Sequence, residues 1–213
     1  MPSVTDAPTT YPALADRLRL LPPSLGQVRL VAVDGPSGSG KSTFAPRLAA
    51  ALGSGVPLIR SDDFRVPWDA DPLTWWPSFE RDVLTPLRAG HPGHLRRYDW
   101  HRDEYGPSEE IPPGKALVVE GVGAAWRGSP AAFRIWVDAS RDLRRARALQ
   151  RDGLAYADAW DEWAELESRH YASDRTLDRV DLIVDGTSVT GPAFHATDAR
   201  QDPRHPPNIR PIK

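Results

Sequence analysis

The chain has 213 residues, enough for one domain with a full core, and its net charge of −2 offers no basic stripe for nucleic acid. It has no cysteine, which excludes disulfides, thiolate catalysis and cysteine metal sites and fits a cytoplasmic protein. No secretion-type start and no apolar run of membrane-spanning length is seen, so no membrane partner is expected.

Residues 1–24 read as an extension, loose to Tyr11. A short amphipathic helix follows over Pro12 to Leu21, with Leu14, Leu18 and Leu21 on one face. Val28 to Asp34 is an apolar run that predicts a buried strand. Gly35-Pro36-Ser37-Gly38-Ser39-Gly40-Lys41-Ser42 then fits the phosphate-binding pattern G-x-x-x-x-G-K-[ST], and Ser42 to Leu52 predicts a helix. Strand, glycine loop and helix are the context this motif needs. The glycines let backbone N–H groups wrap a phosphate, and the helix N-terminus adds its positive dipole end. Gly35 and the stretch Ser37, Gly38, Ser39, Gly40, Lys41, Ser42 and Thr43 are the expected nucleotide contacts. Lys41 would reach the outer phosphates, and the Ser42 hydroxyl would hold magnesium.

Val56 to Arg60 predicts a second strand, closed by Ser61-Asp62-Asp63-Phe64. Trp75 to Ala89 reads as helical, with Pro77 suited to a first turn and Pro86 placed to kink or end it. Further strands are expected at Ala116 to Gly121, Phe133 to Asp138 and Val180 to Gly186. Helices are expected at Arg141 to Gly153 and Tyr156 to Tyr171. Strands alternating with helices predict a three-layer α/β/α fold around a five-stranded parallel sheet, spanning 25–188. Residues 189–213, proline-rich and without periodicity, read as a loose tail.

In such sheets ligands bind beyond the carboxyl ends of the strands. Asp62 and Asp63 stand there, and one carboxylate is expected to orient or deprotonate an acceptor hydroxyl. Two adjacent carboxylates point in different directions, and the spacing does not choose between them. Glu120, ending the third strand, is the expected second magnesium ligand. Arg144, Arg147 and Arg151 share one face of the helix from Arg141, a set suited to neutralising a transferred phosphoryl group. Arg96 to Arg102 combines aromatics, guanidiniums, a carboxylate and an imidazole, suiting a sugar or a ring with polar edges. The eight tryptophans read as core by default, with Trp68, Trp75 and Trp76 able to flank an acceptor.

Taken in order, the phosphate loop, Asp62-Asp63-Phe64, Tyr98-Asp99, Glu120-Gly121 and the Arg141–Asp152 run resemble the uridine kinase-like branch of phosphate-loop kinases. That branch includes relatives acting on pantothenate and ribulose phosphate. The resemblance covers roughly Leu30 to Gly186, by motif order. It implies transfer from ATP, with magnesium, onto a small-molecule hydroxyl, most simply of a nucleoside. Asp62 takes the place of the base, and Tyr98, Asp99, His101 and Arg151 that of the acceptor site. Arg144 and Arg147 belong to an arginine-bearing helical lid. The run Trp68 to Phe79 departs from the family's acceptor-site sequence, which leaves the acceptor open, as self-association is also left open. An ATP hydrolase, a nucleotide switch or a binding protein is the competing class. The chain lacks an N-K-x-D guanine-reading segment, which argues against a GTPase switch.

Overall fold

The computed structural model describes residues 8–201. Thr9–Thr10 (β1) leads into Tyr11–Arg19 (α1), whose N-terminus is capped by the Thr10 side chain accepting from Ala13 N. Arg29–Asp34 (β2) runs through the loop into Lys41–Leu52 (α2), and Leu58–Arg60 (β3) follows. Trp76–Phe79 (α3) and Thr85–Arg88 (α4) are joined without a break by a wider π turn over Glu80–Leu84. Pro86 explains that turn. It has no N–H to offer the carbonyl four residues back, and Thr85 N instead bonds Glu80 O, five residues back. The helix is therefore re-pitched rather than ended.

Gly93–Asp99 (β4) and Glu104–Ile111 (β5) form an antiparallel hairpin that stands apart from the main sheet. Then come Ala116–Glu120 (β6), Phe133–Asp138 (β7), Arg141–Asp152 (α5), Ala157–Asp174 (α6), Leu182–Asp185 (β8), Ala193–Phe194 (β9) and Ala196–Asp198 (β10).

The main sheet has the order β10-β8-β7-β2-β6-β3. Five of its strands are parallel, as the sequence predicts, and β10 adds a sixth, antiparallel strand at the β8 edge. Alternate residues of β2 serve the two faces. Val31 and Val33 join α1 and α2 in one core, with Leu18, Phe44 and Leu48. Leu30 and Ala32 join the other, built on Trp75, Phe79, Val83 and Leu84. Burial on both sides of the sheet gives the three layers.

Residues 189–201 depart from the loose tail expected over 189–213. β9 pairs with β1, β10 pairs with β8, and Phe194 is fully buried. The physical reason is aromatic. Phe194 packs 4.9 Å from both Tyr11 and Phe44, ring centre to ring centre, so α1 and β9 close the same core. Pairing β10 to β8 also covers a sheet edge. The start expected to be loose as far as Tyr11 is ordered where it is described: Thr9 and Thr10 pair with β9, and Tyr11 is buried at the head of α1, held by the same aromatic packing. Residues 1–7 and 202–213 lie outside the described residues.

Candidate functional site

β2 ends on Asp34, and the loop turns back over the strand ends before Lys41 opens α2. Gly38 and Gly40 adopt φ of 80° and 112°, left-handed backbone that favours glycine and lets the loop curl tightly. Lys41 lies across this curl, its Nζ donating to Pro36 O at 3.0 Å, and it is largely buried. Glu120 arrives on the neighbouring strand, in register with Val33. The Ser42 hydroxyl donates to Glu120 Oε1 at 3.4 Å. A hydroxyl and a carboxylate are the hard oxygen donors that magnesium takes, so the two expected metal ligands fit.

Burial pushes the Glu120 carboxyl up to about 7; Lys41 pulls against this, Asp62 adds to it, and Arg60 and the Ser42 bond pull it down. The unfolded carboxyl ionises near 4.5. Between these two values the unfolded chain holds fewer protons than the folded one, so stability falls as pH rises from about 4.5 to about 7. The loss is about 3 kcal/mol at most. Urea unfolding of the metal-free protein at pH 5 and pH 8 should show it, and Glu120→Gln should flatten that slope.

The two adjacent aspartates separate cleanly. Asp63 is buried and accepts from Arg60 N at 2.7 Å and Arg97 Nη1 at 2.5 Å, so it ties β3 to the hairpin. Asp62 is exposed beyond the strand, and among the described residues its carboxylate accepts a hydrogen bond only from the neighbouring Ser61 hydroxyl, at 3.3 Å. Trp100 Nε1 donates to the Asp62 main-chain carbonyl at 2.8 Å, which ties the indole to this residue. Asp62 is thus the carboxylate available to a ligand.

Arg144 and Arg147 are placed otherwise than as groups facing a transferred phosphate. Arg144 Nη1 donates to Ser37 O at 3.3 Å, and Arg147 Nη1 donates to Gly38 O at 3.1 Å and Ser39 O at 3.2 Å. They hold the loop by its carbonyls. Their role in this arrangement is to position the loop. Arg145 and Arg141 pair with Asp161 and Glu165 of α6. Arg151 is exposed and pairs with Asp152 at 2.7 Å; the charge of Asp62 also acts on it.

The expected acceptor residues of the hairpin mostly hold the hairpin itself. Tyr98 is buried, donates to Asp103 and accepts from Arg65 Nε at 3.2 Å. Asp99 Oδ1 accepts from His101 N at 2.9 Å and Arg102 N at 3.1 Å, closing the β4–β5 turn. His101 is exposed on that turn. The surface facing outward near Asp62 is Trp100, half exposed and stacked edge-on against Tyr98. Trp68, also half exposed, meets Trp163 of α6 edge-on at 6.1 Å.

Three residues matter here that the motifs do not reveal. Asp34, fully buried, accepts from Gly35 N, Gly123 N, Ala125 N and the Tyr171 hydroxyl, at 2.7 to 3.1 Å. A carboxylate ending an otherwise apolar strand was the available signal. Glu167 of α6 reaches Ser37 N at 2.9 Å. Gly186, just past β8, supports the loop from behind. A Cβ there would lie 1.8 Å from Ser39 O and 2.8 Å from Asp138 O. Gly186→Ala should displace the loop, costing about 1–3 kcal/mol in stability as other overpacking changes do. It should also weaken nucleotide binding, which thermal melting and calorimetric titration would register separately.

No protein-family model matches the chain, and no curated protein matches it. Solved structures do. A possible uridine kinase from Bacillus stearothermophilus superposes with a TM-score of 0.60 at 17% identity, covering 81% of this chain and 96% of that one. A protein described as a fructose transport system kinase, from a Silicibacter species, gives 0.56 at 21% identity, over 78% and 95%. Among the described residues no helix is long and apolar enough to cross a membrane. At these identities the likeness is one of architecture: this chain has the three-layer fold of the phosphate-loop kinases.

Proposed function

We propose that the protein is an ATP-dependent kinase that phosphorylates a hydroxyl of a small molecule, with nucleosides the first class of acceptor. The observation that carries this reading is one exposed carboxylate, Asp62, hydrogen-bonded to nothing but its neighbour Ser61 among the described residues and close enough for its charge to act on Glu120 of the Lys41–Ser42–Glu120 cluster. A hydrolase also uses a carboxylate, to orient water, but it has no need of an aromatic wall beside that carboxylate. A kinase needs both, to hold an acceptor in line with the terminal phosphate.

In this reading the loop amides from Gly38 to Ser42 bind the outer phosphates, and Lys41 leaves Pro36 O to pair with them. Magnesium, held by Ser42 and Glu120, would neutralise phosphate charge when bound. Asp62 accepts the acceptor's hydroxyl proton as its oxygen bonds to the γ-phosphorus. The bond from that phosphorus to the bridging oxygen breaks, and ADP leaves. Trp100 and Trp68 give the acceptor apolar faces, and Arg151 is the α5 arginine free to swing toward the transferred group once it releases Asp152.

Phosphorus NMR of reactions with ATP, magnesium and a panel of nucleosides, ribose phosphates and pantothenate tests this. A new phosphomonoester resonance with one acceptor supports the proposal. Inorganic phosphate as the sole product, whatever the acceptor, would refute it.

A further inference from the structure

Ser37 commits every polar group it has to α5 and α6. Its N–H donates to Glu167 Oε1 at 2.9 Å. Its hydroxyl oxygen accepts from Trp163 Nε1 at 3.0 Å, and its carbonyl accepts from Arg144 Nη1 at 3.3 Å. The α6 partners follow a pattern. Trp163, Glu167 and Tyr171 are four residues apart, so they stand on one face at successive turns. The third of them donates from its hydroxyl to Asp34 Oδ1 at 2.8 Å, at the root of the loop. One helix face therefore bonds the start of the phosphate loop at three consecutive turns.

Glu167 is the centre of this arrangement. It is 1% exposed, and its Oε1 also accepts from Trp163 Nε1 at 2.6 Å. Arg144 Nη1, 3.7 Å from Oε2, supplies the opposite charge. A buried carboxylate is costly unless paired and hydrogen-bonded. Here the partners are a loop amide, a tryptophan that also bonds the loop, and an arginine that also bonds the loop. Its contacts converge on Ser37.

We infer that Glu167 is a positioning residue for the nucleotide: by fixing Ser37 it holds the loop in the curl whose amides, from Gly38 to Ser42, receive phosphate. The inference rests on the reading of the loop as a nucleotide site. A glycine-rich loop left free must be ordered at the moment of binding, and that entropy is subtracted from affinity. Glu167 removes this loss beforehand.

The test is calorimetric titration of the full chain with a magnesium complex of a non-hydrolysable ATP analogue. Glu167→Ala should weaken binding by roughly tenfold or more, since Ser37 N is left without its acceptor. Glu167→Gln keeps an acceptor oxygen for Ser37 N and should restore most of the affinity, whereas Glu167→Met, which fills similar volume without an acceptor, should not; a general packing role predicts recovery in both. If Glu167→Ala fails to fold, Trp163→Phe serves. It keeps a ring against Trp68 but loses the donor to Ser37 and Glu167, and it should weaken binding several-fold. Wild-type affinity in Glu167→Ala or Trp163→Phe, or equal losses in Glu167→Ala and Glu167→Gln, would overturn the inference while leaving the nucleotide site standing. No binding by the wild-type chain would instead overturn the nucleotide reading, and this inference with it.

Discussion

Lys41→Ala should reduce phosphoryl transfer by about a thousandfold or more, the scale seen when a charge-stabilising group is removed from a transferring centre. The lysine is held ready. Its ammonium is largely buried, with Pro36 O as its hydrogen-bond partner at 3.0 Å, and that bond can be exchanged for a phosphate oxygen at little cost. Lys41 is the one basic residue of the loop sequence, and the guanidiniums of Arg144 and Arg147 are turned to loop carbonyls. The loss should appear in turnover and in nucleotide affinity together. A steady-state assay alongside calorimetric titration checks both, and unchanged turnover would remove Lys41 from the mechanism.

Asp62→Asn should lower kcat by about a hundredfold to ten-thousandfold, the usual contribution of a positioned base, with KM for ATP little changed. The neighbouring substitution makes the contrast. Asp63→Asn weakens the pair with Arg97 and the bond from Arg60 N, so its effect should fall on stability, of order 1–3 kcal/mol. Catalysis by the folded fraction should survive. Chemical denaturation and kcat measured on both variants would separate a base from a brace. The reverse pattern, with Asp63→Asn losing kcat and Asp62→Asn losing only stability, would exchange their roles.

The parts of the fold that the sequence makes legible are those with a strong local cause. The glycines at 35, 38 and 40, followed by Lys41-Ser42, leave few alternatives for the loop, and the apolar runs of β2, β6 and β7 leave few for the sheet. The β4–β5 hairpin has no such signal. Almost all of β5 is exposed, and it carries a glycine and a proline, so no alternation of apolar and polar residues marks it as a strand. The tail around Phe194 was equally hidden. A lone aromatic among breakers says nothing about the partners, Tyr11 and Phe44, that it meets across the whole chain.

The site divides in the same way. Glu120 ends β6, Asp62 follows β3, and Lys41 and Ser42 open α2 just past β2, so topology alone brings them to one edge. Helical spacing correctly puts Arg144 and Arg147 on one face of α5. It cannot say which groups of the loop that face meets, and they meet its carbonyls. Tyr98 and Asp99 have the residue types of a binding site, yet their polar atoms are used by Asp103 and by the hairpin turn. Glu167 is the opposite case. It lies among Asp158, Asp161, Glu162 and Glu165 on a helix rich in acids, where a solvated carboxylate is the ordinary expectation. Only the packing of α6 against the loop shows that this one is buried.

The most direct measurement of the central claim is acceptor-dependent ADP release by the purified protein with ATP and magnesium, in the wild type and in Asp62→Asn. Release should be stimulated by one small hydroxyl compound in the wild type, and Asp62→Asn should lose that stimulation. Release that proceeds at the same rate with and without every acceptor, and that Asp62→Asn leaves intact, would contradict the central claim.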